Sequence, residues 1–187
     1  MAAAIKADAK RSDHEPDSKV RADLAADAGA VADACLAREP RGAACLYGHA
    51  VALGLAARVH PTRAGELLNA MLGSLNDAEA ADALYDDAGP ARVRALVLIR
   101  APGWPLGPGD PDAGLAAARR AVSLRPDYPP NQLALADALE RTGNVGGARD
   151  AYGVARDRAQ ALPDSGDRSG WLREADEALR RLRSASP

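Results

Sequence analysis

Three histidines, His14, His49 and His60, and two cysteines, Cys35 and Cys45, are the residues of this 187-residue chain best suited to hold a metal or attack a substrate. Cys45 and His49 are four positions apart, a spacing that sets two zinc ligands on one helix face. A closed site needs two more ligands, which Cys35 and His60 could supply only by converging on the pair. Plain packing is the competing reading, and no metal is expected. The cysteines also flank a turn-like stretch, Arg38-Glu39-Pro40-Arg41-Gly42. If it joins antiparallel helices, a Cys35–Cys45 disulfide is geometrically allowed; the alternative is two small apolar core residues. No nucleophile sits in a recognisable strand-turn-helix setting, so binding rather than catalysis is expected, with no cofactor. The glycines of Pro102-Gly103-Trp104-Pro105-Leu106-Gly107-Pro108-Gly109 are not a phosphate loop, because no Lys-Ser/Thr follows and no strand precedes. They read as a rigid exposed loop. Trp104, with Leu106 beside it, either offers a low-entropy docking element or folds back over the helices beneath.

Helices must position these residues. About a quarter of the chain is Ala, Phe is absent and aromatics make up 3%. Ala favours helices that approach closely, and the β-branched and aromatic residues a sheet wants are scarce. Pro/Gly punctuation predicts helices near 18–38, 42–58, 62–82, 90–100, 111–124, 130–142, 145–162 and 168–183. Residues 1–16 lack apolar periodicity and read as a flexible arm, leaving 17–187 as a single helical domain. The 24 basic and 26 acidic residues intersperse to a net charge of −2, so no field attracts nucleic acid. No apolar run is long enough to span a bilayer, and the first residues show no signal-peptide pattern.

An internal repeat organises the C-terminal half. Gly109, Gly114, Ala118, Ala121 and Leu124 recur as Gly143, Ala148, Tyr152, Ala155 and Arg158, each pair 34 residues apart. That is the period of the tetratricopeptide repeat (TPR). Four of the five pairs keep a small or apolar residue. Small residues permit close helix crossing, Pro126 stops one helix, and Gln132, Leu135, Ala136 and Leu139 face inward on the next. The expected fold is all-α: about eight helices in TPR-like hairpins, packed as a short superhelical solenoid. In that register Leu133, Asp137, Glu140 and Arg141 face the groove where solenoids bind, against the alternative of a solvated polar face.

Beyond the repeat, the chain resembles the TatT family, the T component associated with tripartite ATP-independent periplasmic (TRAP) transporters. The carriers are ACLYGHAVALGLAAR (44–58), ELLNAMLGSL (66–75) and LYDDAGPARVRALVLIRAPGWPLGPGD (84–110), then the TPR-like run. The resemblance implies a periplasmic or extracellular, lipid-anchored homo-oligomer, typically a trimer, which pairs with a substrate-binding P component and helps deliver a small organic ligand. The chain as given lacks a leader and a lipobox cysteine, which leaves the cytoplasm open as its compartment. The alternative is a TPR scaffold that self-assembles or organises a complex unrelated to transport.

Overall fold

The computed structural model describes residues 2–184, which form nine α-helices among the described residues and one short 3₁₀ turn, Pro61–Arg63. The helices are α1 (Ala2–His14), α2 (Ser18–Arg38), α3 (Ala43–Val59), α4 (Ala64–Ala81), α5 (Tyr85–Arg100), α6 (Pro111–Leu124), α7 (Pro129–Arg141), α8 (Val145–Gln160) and α9 (Gly166–Ser184). The chain divides into two compact units. The N-terminal unit holds Met1–Pro90 with Ala101–Gly109, and the C-terminal unit holds Ala91–Arg100 with Asp110–Pro187.

In the N-terminal unit α2 and α3 form a hairpin, and α4 returns along α3. Asp17 starts α2 by accepting the Lys19 and Val20 amides, which satisfies donors a helix start leaves unpaired. The core is small residues closing on branched ones: Ala25, Ala28 and Ala32 of α2 against Ala52 and Leu55 of α3. The first 16 residues, expected as a flexible arm, contain α1, which packs on both α2 and α3. Its Ile5 is 1% exposed and joins the same core. Gly48 makes room for it, because a methyl group there would sit 2.9 Å from the end of the Ile5 side chain. Among the described side chains of α1, Ile5 and Ser12 are buried and Ala9 is partly covered, so a single large apolar residue marks the packed face and leaves little periodicity to read.

The start of α5 is irregular. Asp86, Asp87 and Ala88 have φ of 53°, 53° and 63°, a left-handed turn that L-residues adopt at a cost of about 1–2 kcal/mol each. These residues form a turn ahead of the right-handed helix. Tyr85 packs edge-on against Tyr47, ring centroids 5.4 Å apart. Gly89 fits between Asp86 and the Tyr47 ring, where a Cβ would lie 2.9 Å and 3.1 Å from its neighbours.

The C-terminal unit carries the repeat. Asp110 caps α6 by accepting the Ala113 amide at 3.0 Å, and Asn144 caps α8 by accepting the Gly147 amide at 2.9 Å. Gly114 meets Ile99, while Ala117, Ala118 and Ala138 close the α5–α6–α7 core. Tyr152 fills the α7–α8–α9 core with Leu133, Leu139, Ala155 and Leu179. The fully buried Asn131 donates to the Ala121 and Arg125 carbonyls and accepts from Arg92 at 3.0 Å. Arg92 also lies over the Tyr128 ring, which meets Trp171 edge-on.

Candidate functional site

The loop between α5 and α6 is closed by its own backbone. The Gly103 carbonyl accepts the Leu106 and Gly107 amides at 3.0 Å and 3.2 Å, and the Pro102 carbonyl accepts the Gly109 amide at 2.9 Å. Two glycines make this closure sterically possible. A Cβ at Gly107 would lie 2.7 Å from the Pro102 oxygen, and one at Gly109 would lie 2.1 Å from the Ala101 oxygen. Gly109 therefore serves loop closure. The closed loop seats on the first turn of α4, where a methyl group on Gly65 would come 2.9 Å from the Leu106 carbonyl oxygen.

Trp104 and Leu106 stand out from this frame, 91% and 76% exposed. Of the two fates open to Trp104, folding back or standing free, the structure adopts the second. The segment Ala101–Gly109 contains no charged residue, in a chain that is 27% charged. It is an uncharged apolar knob on a backbone locked by hydrogen bonds.

The residues placed by repeat register on α7 divide three ways. Leu133 is 6% exposed and belongs to the core, which corrects its assignment to a groove. As a large aliphatic residue between α7 and its neighbours, it loses more by facing water than a groove position could return. Asp137 and Glu140 are half-buried and paired: Arg100 meets Asp137 at 2.8 Å, and Arg181 meets both Glu140 oxygens at 2.7 Å and 3.0 Å. Tyr152 donates to Glu140 at 3.3 Å. Burial first, then the Asp137 and Glu140 charges, push the Tyr152 hydroxyl pKa well up, so it remains a donor. Arg141 is exposed to solvent. Arg100, Arg181 and Glu174 complete this network, and sequence reasoning missed them because they come from α5 and α9. The Glu174 carboxyl is pushed up by burial foremost; Arg100 opposes this, while Asp137 and Glu177 add to it.

The cysteines are joined. Cys35 and Cys45 form a disulfide with Cα atoms 5.3 Å apart, tying the end of α2 to the first turn of α3. Their sulfurs are thereby unavailable as metal ligands. The His49 ring pairs with the Ser74 hydroxyl at 2.9 Å across α3 and α4, while His14 and His60 are exposed. Among the described residues no group of three or more His, Cys, Asp or Glu side chains gathers around a common point.

No known family model matches the chain, and no curated protein does. Among solved structures it is similar to a thermophilic TPR protein from Thermus thermophilus, at a TM-score of 0.64 and 23% identity. The match covers 88% of this chain and 82% of that one. It agrees with the helical hairpins described above and establishes a TPR-like fold.

Proposed function

We propose that this protein acts by non-covalent docking, as a TPR-like binding and assembly module whose contact element is the Trp104–Leu106 loop. The observation that carries the reading is a large aromatic and a Leu held in water on a backbone that is already fixed. Exposed apolar groups grouped in this way mark contact sites, and a fixed loop loses little entropy when it docks. Trp is also the side chain most enriched where single residues dominate binding.

In its finer form the reading is a TatT-like accessory to a TRAP-type transporter, in the periplasm, which engages the substrate-binding P component and handles a small organic ligand with it. The Cys35–Cys45 bridge supports an oxidising compartment. Titration of the purified chain against a P component tests this. Trp104→Ala should weaken binding at least about tenfold, as loss of a hot-spot aromatic does. An unchanged affinity removes the loop from the contact. The scaffold reading, in which the chain assembles with itself, is favoured by a second feature of the N-terminal unit, a surface depression at the far end of α4.

A further inference from the structure

That depression has a volume of about 430 Å³ and is lined by Pro40, Arg41, Leu46, Asp77, Ala80 and Ala81. The turn joining α2 to α3 supplies its first residues, and the last turns of α4 supply Asp77, Ala80 and Ala81. Four of its six lining residues are apolar, Pro40, the half-buried Leu46, and the exposed Ala80 and Ala81, and these are termed its floor. The other two are one cation and one anion, Arg41 and Asp77. Among the described residues neither the Arg41 nor the Asp77 side chain has a hydrogen bond or ion pair. Charged side chains of both signs beside an apolar floor, with nothing to hold, match one kind of group well. An aromatic ring presents an apolar body, a π-face that attracts a guanidinium and, in Trp, an N–H that a carboxylate accepts.

The loop at the opposite end of α4 presents such a ring. It rests on Gly65, and the depression is built around residue 80, so 15 residues of helix set the two about 20 Å apart. Trp104 does not fill the depression of its own chain, since its side chain stands in water. We propose that the depression is a socket for the Trp104–Leu106 knob of a second copy of this chain. The indole lies over Arg41 and against Pro40 and Leu46, its N–H reaches Asp77, and Leu106 covers Ala80 and Ala81. The contact joins unlike patches, so two copies either exchange knobs reciprocally or link head to tail into a ring. This rests on the reading of the loop as a docking element and, for its partner, on the scaffold alternative, in which the chain assembles with itself.

Complementation between two variants tests it. Trp104→Ala removes the knob and keeps the socket; Ala80→Arg fills the socket and keeps the knob. Both positions are exposed, so both variants should fold, which far-UV circular dichroism checks. By sedimentation velocity the wild-type chain should associate as concentration rises, and each variant alone should lose association at least about tenfold. An equimolar mixture should restore a heterodimer through its one intact knob and socket. Arg41→Glu, which leaves the apolar floor in place, should weaken association as well. A wild-type chain that stays monomeric, an assembly that survives both variants, or a mixture that stays monomeric overturns the socket. The two readings fail separately. If the wild type is monomeric while Trp104→Ala still abolishes binding to a P component, the socket falls and the docking loop stands; if Trp104→Ala changes neither measurement, both fall.

Discussion

In the C-terminal unit, Asp110 and Asn144 cap alternate helices, α6 and α8, from positions one repeat apart, and small residues recur where the helices cross. In the N-terminal unit the elements are held by unlike devices. A disulfide ties one hairpin, one Ile holds α1, a left-handed turn introduces α5, and a hydrogen-bonded loop takes the place of a tight turn. Repetition suits a stack in which each hairpin covers the next. Singular devices suit a surface that one partner must recognise, because a repeated surface cannot distinguish one position from another. On the docking reading proposed above, recognition belongs to the N-terminal unit and structural regularity to the C-terminal one.

The disulfide gives the largest expected separation between the two. Closing a ring of ten residues restricts the unfolded chain by about 3 kcal/mol. Reduction, or the double change Cys35→Ser with Cys45→Ser, should therefore destabilise the N-terminal unit by about that amount. Hydrogen exchange should show protection falling in α2 and α3 while α7 and α8 keep theirs. Equal losses in both units would erase the contrast.

How much of this was legible depended on whether a signal was local. Helices α2 to α9 are bounded by Pro, Gly and capping residues, and their starts and ends fall within a few positions of those read from the sequence, once α5 is taken from its right-handed start. Helix α1 was not legible, because among its described side chains Ile5 is the one large buried apolar residue, and what covers it comes from α2 and α3, not from α1's own sequence. Leu133 was misplaced for a related reason: a repeat register orders positions along a helix without stating which gaps must be filled. The knob was half-legible. Pro and Gly marked a rigid loop, but the exposure of Trp104 depends on backbone bonds among Pro102, Gly103, Leu106, Gly107 and Gly109 that composition does not specify. The left-handed turn at Asp86–Ala88 carried no glycine to announce it.

A finer test uses two glycines that occupy equivalent places in the repeat. Gly143 has φ of +82° and open space around it, so its requirement is conformational. Gly143→Ala should cost about 1 kcal/mol in thermal or denaturant unfolding, and Gly143→Asn less, because Asn tolerates the left-handed region. Gly109 has no positive φ; its requirement is space, since an added Cβ would collide with the Ala101 carbonyl oxygen. Asn should therefore be no better than Ala there, and both should open the loop. The readout is weakened docking through Trp104 at nearly unchanged helix content. If Asn rescued both positions equally, the two glycines would share one role and the loop would be an ordinary repeat turn.

The smallest effects come from two glutamates whose carboxyls move in opposite directions. In the N-terminal unit Glu66 is held below its usual 4.5 by hydrogen bonds from Arg63, the shorter at 2.8 Å, and then by that residue's charge. In the C-terminal unit Glu174 is raised above 4.5, chiefly by burial and despite Arg100. A lowered acid stabilises the fold above its unfolded pKa, and the contribution is lost as pH falls through the folded value. A raised acid does the reverse: its contribution is present below the unfolded pKa and is lost as pH rises through the folded value. Glu66→Gln should therefore lower the melting temperature slightly at neutral pH, the loss being small because the pair is solvent-screened, and the difference should vanish in acid. Glu174→Gln should raise it slightly at neutral pH by removing the cost of ionising a carboxyl raised first by burial and then by Asp137 and Glu177, and this advantage should disappear below about pH 4.5. Melting curves of the two variants against pH should thus diverge from wild type with opposite signs on the alkaline side and converge on the acid side. Shifts of the same sign would mean that Glu174 is solvated like Glu66, and that the network joining α5, α7 and α9 is open to water.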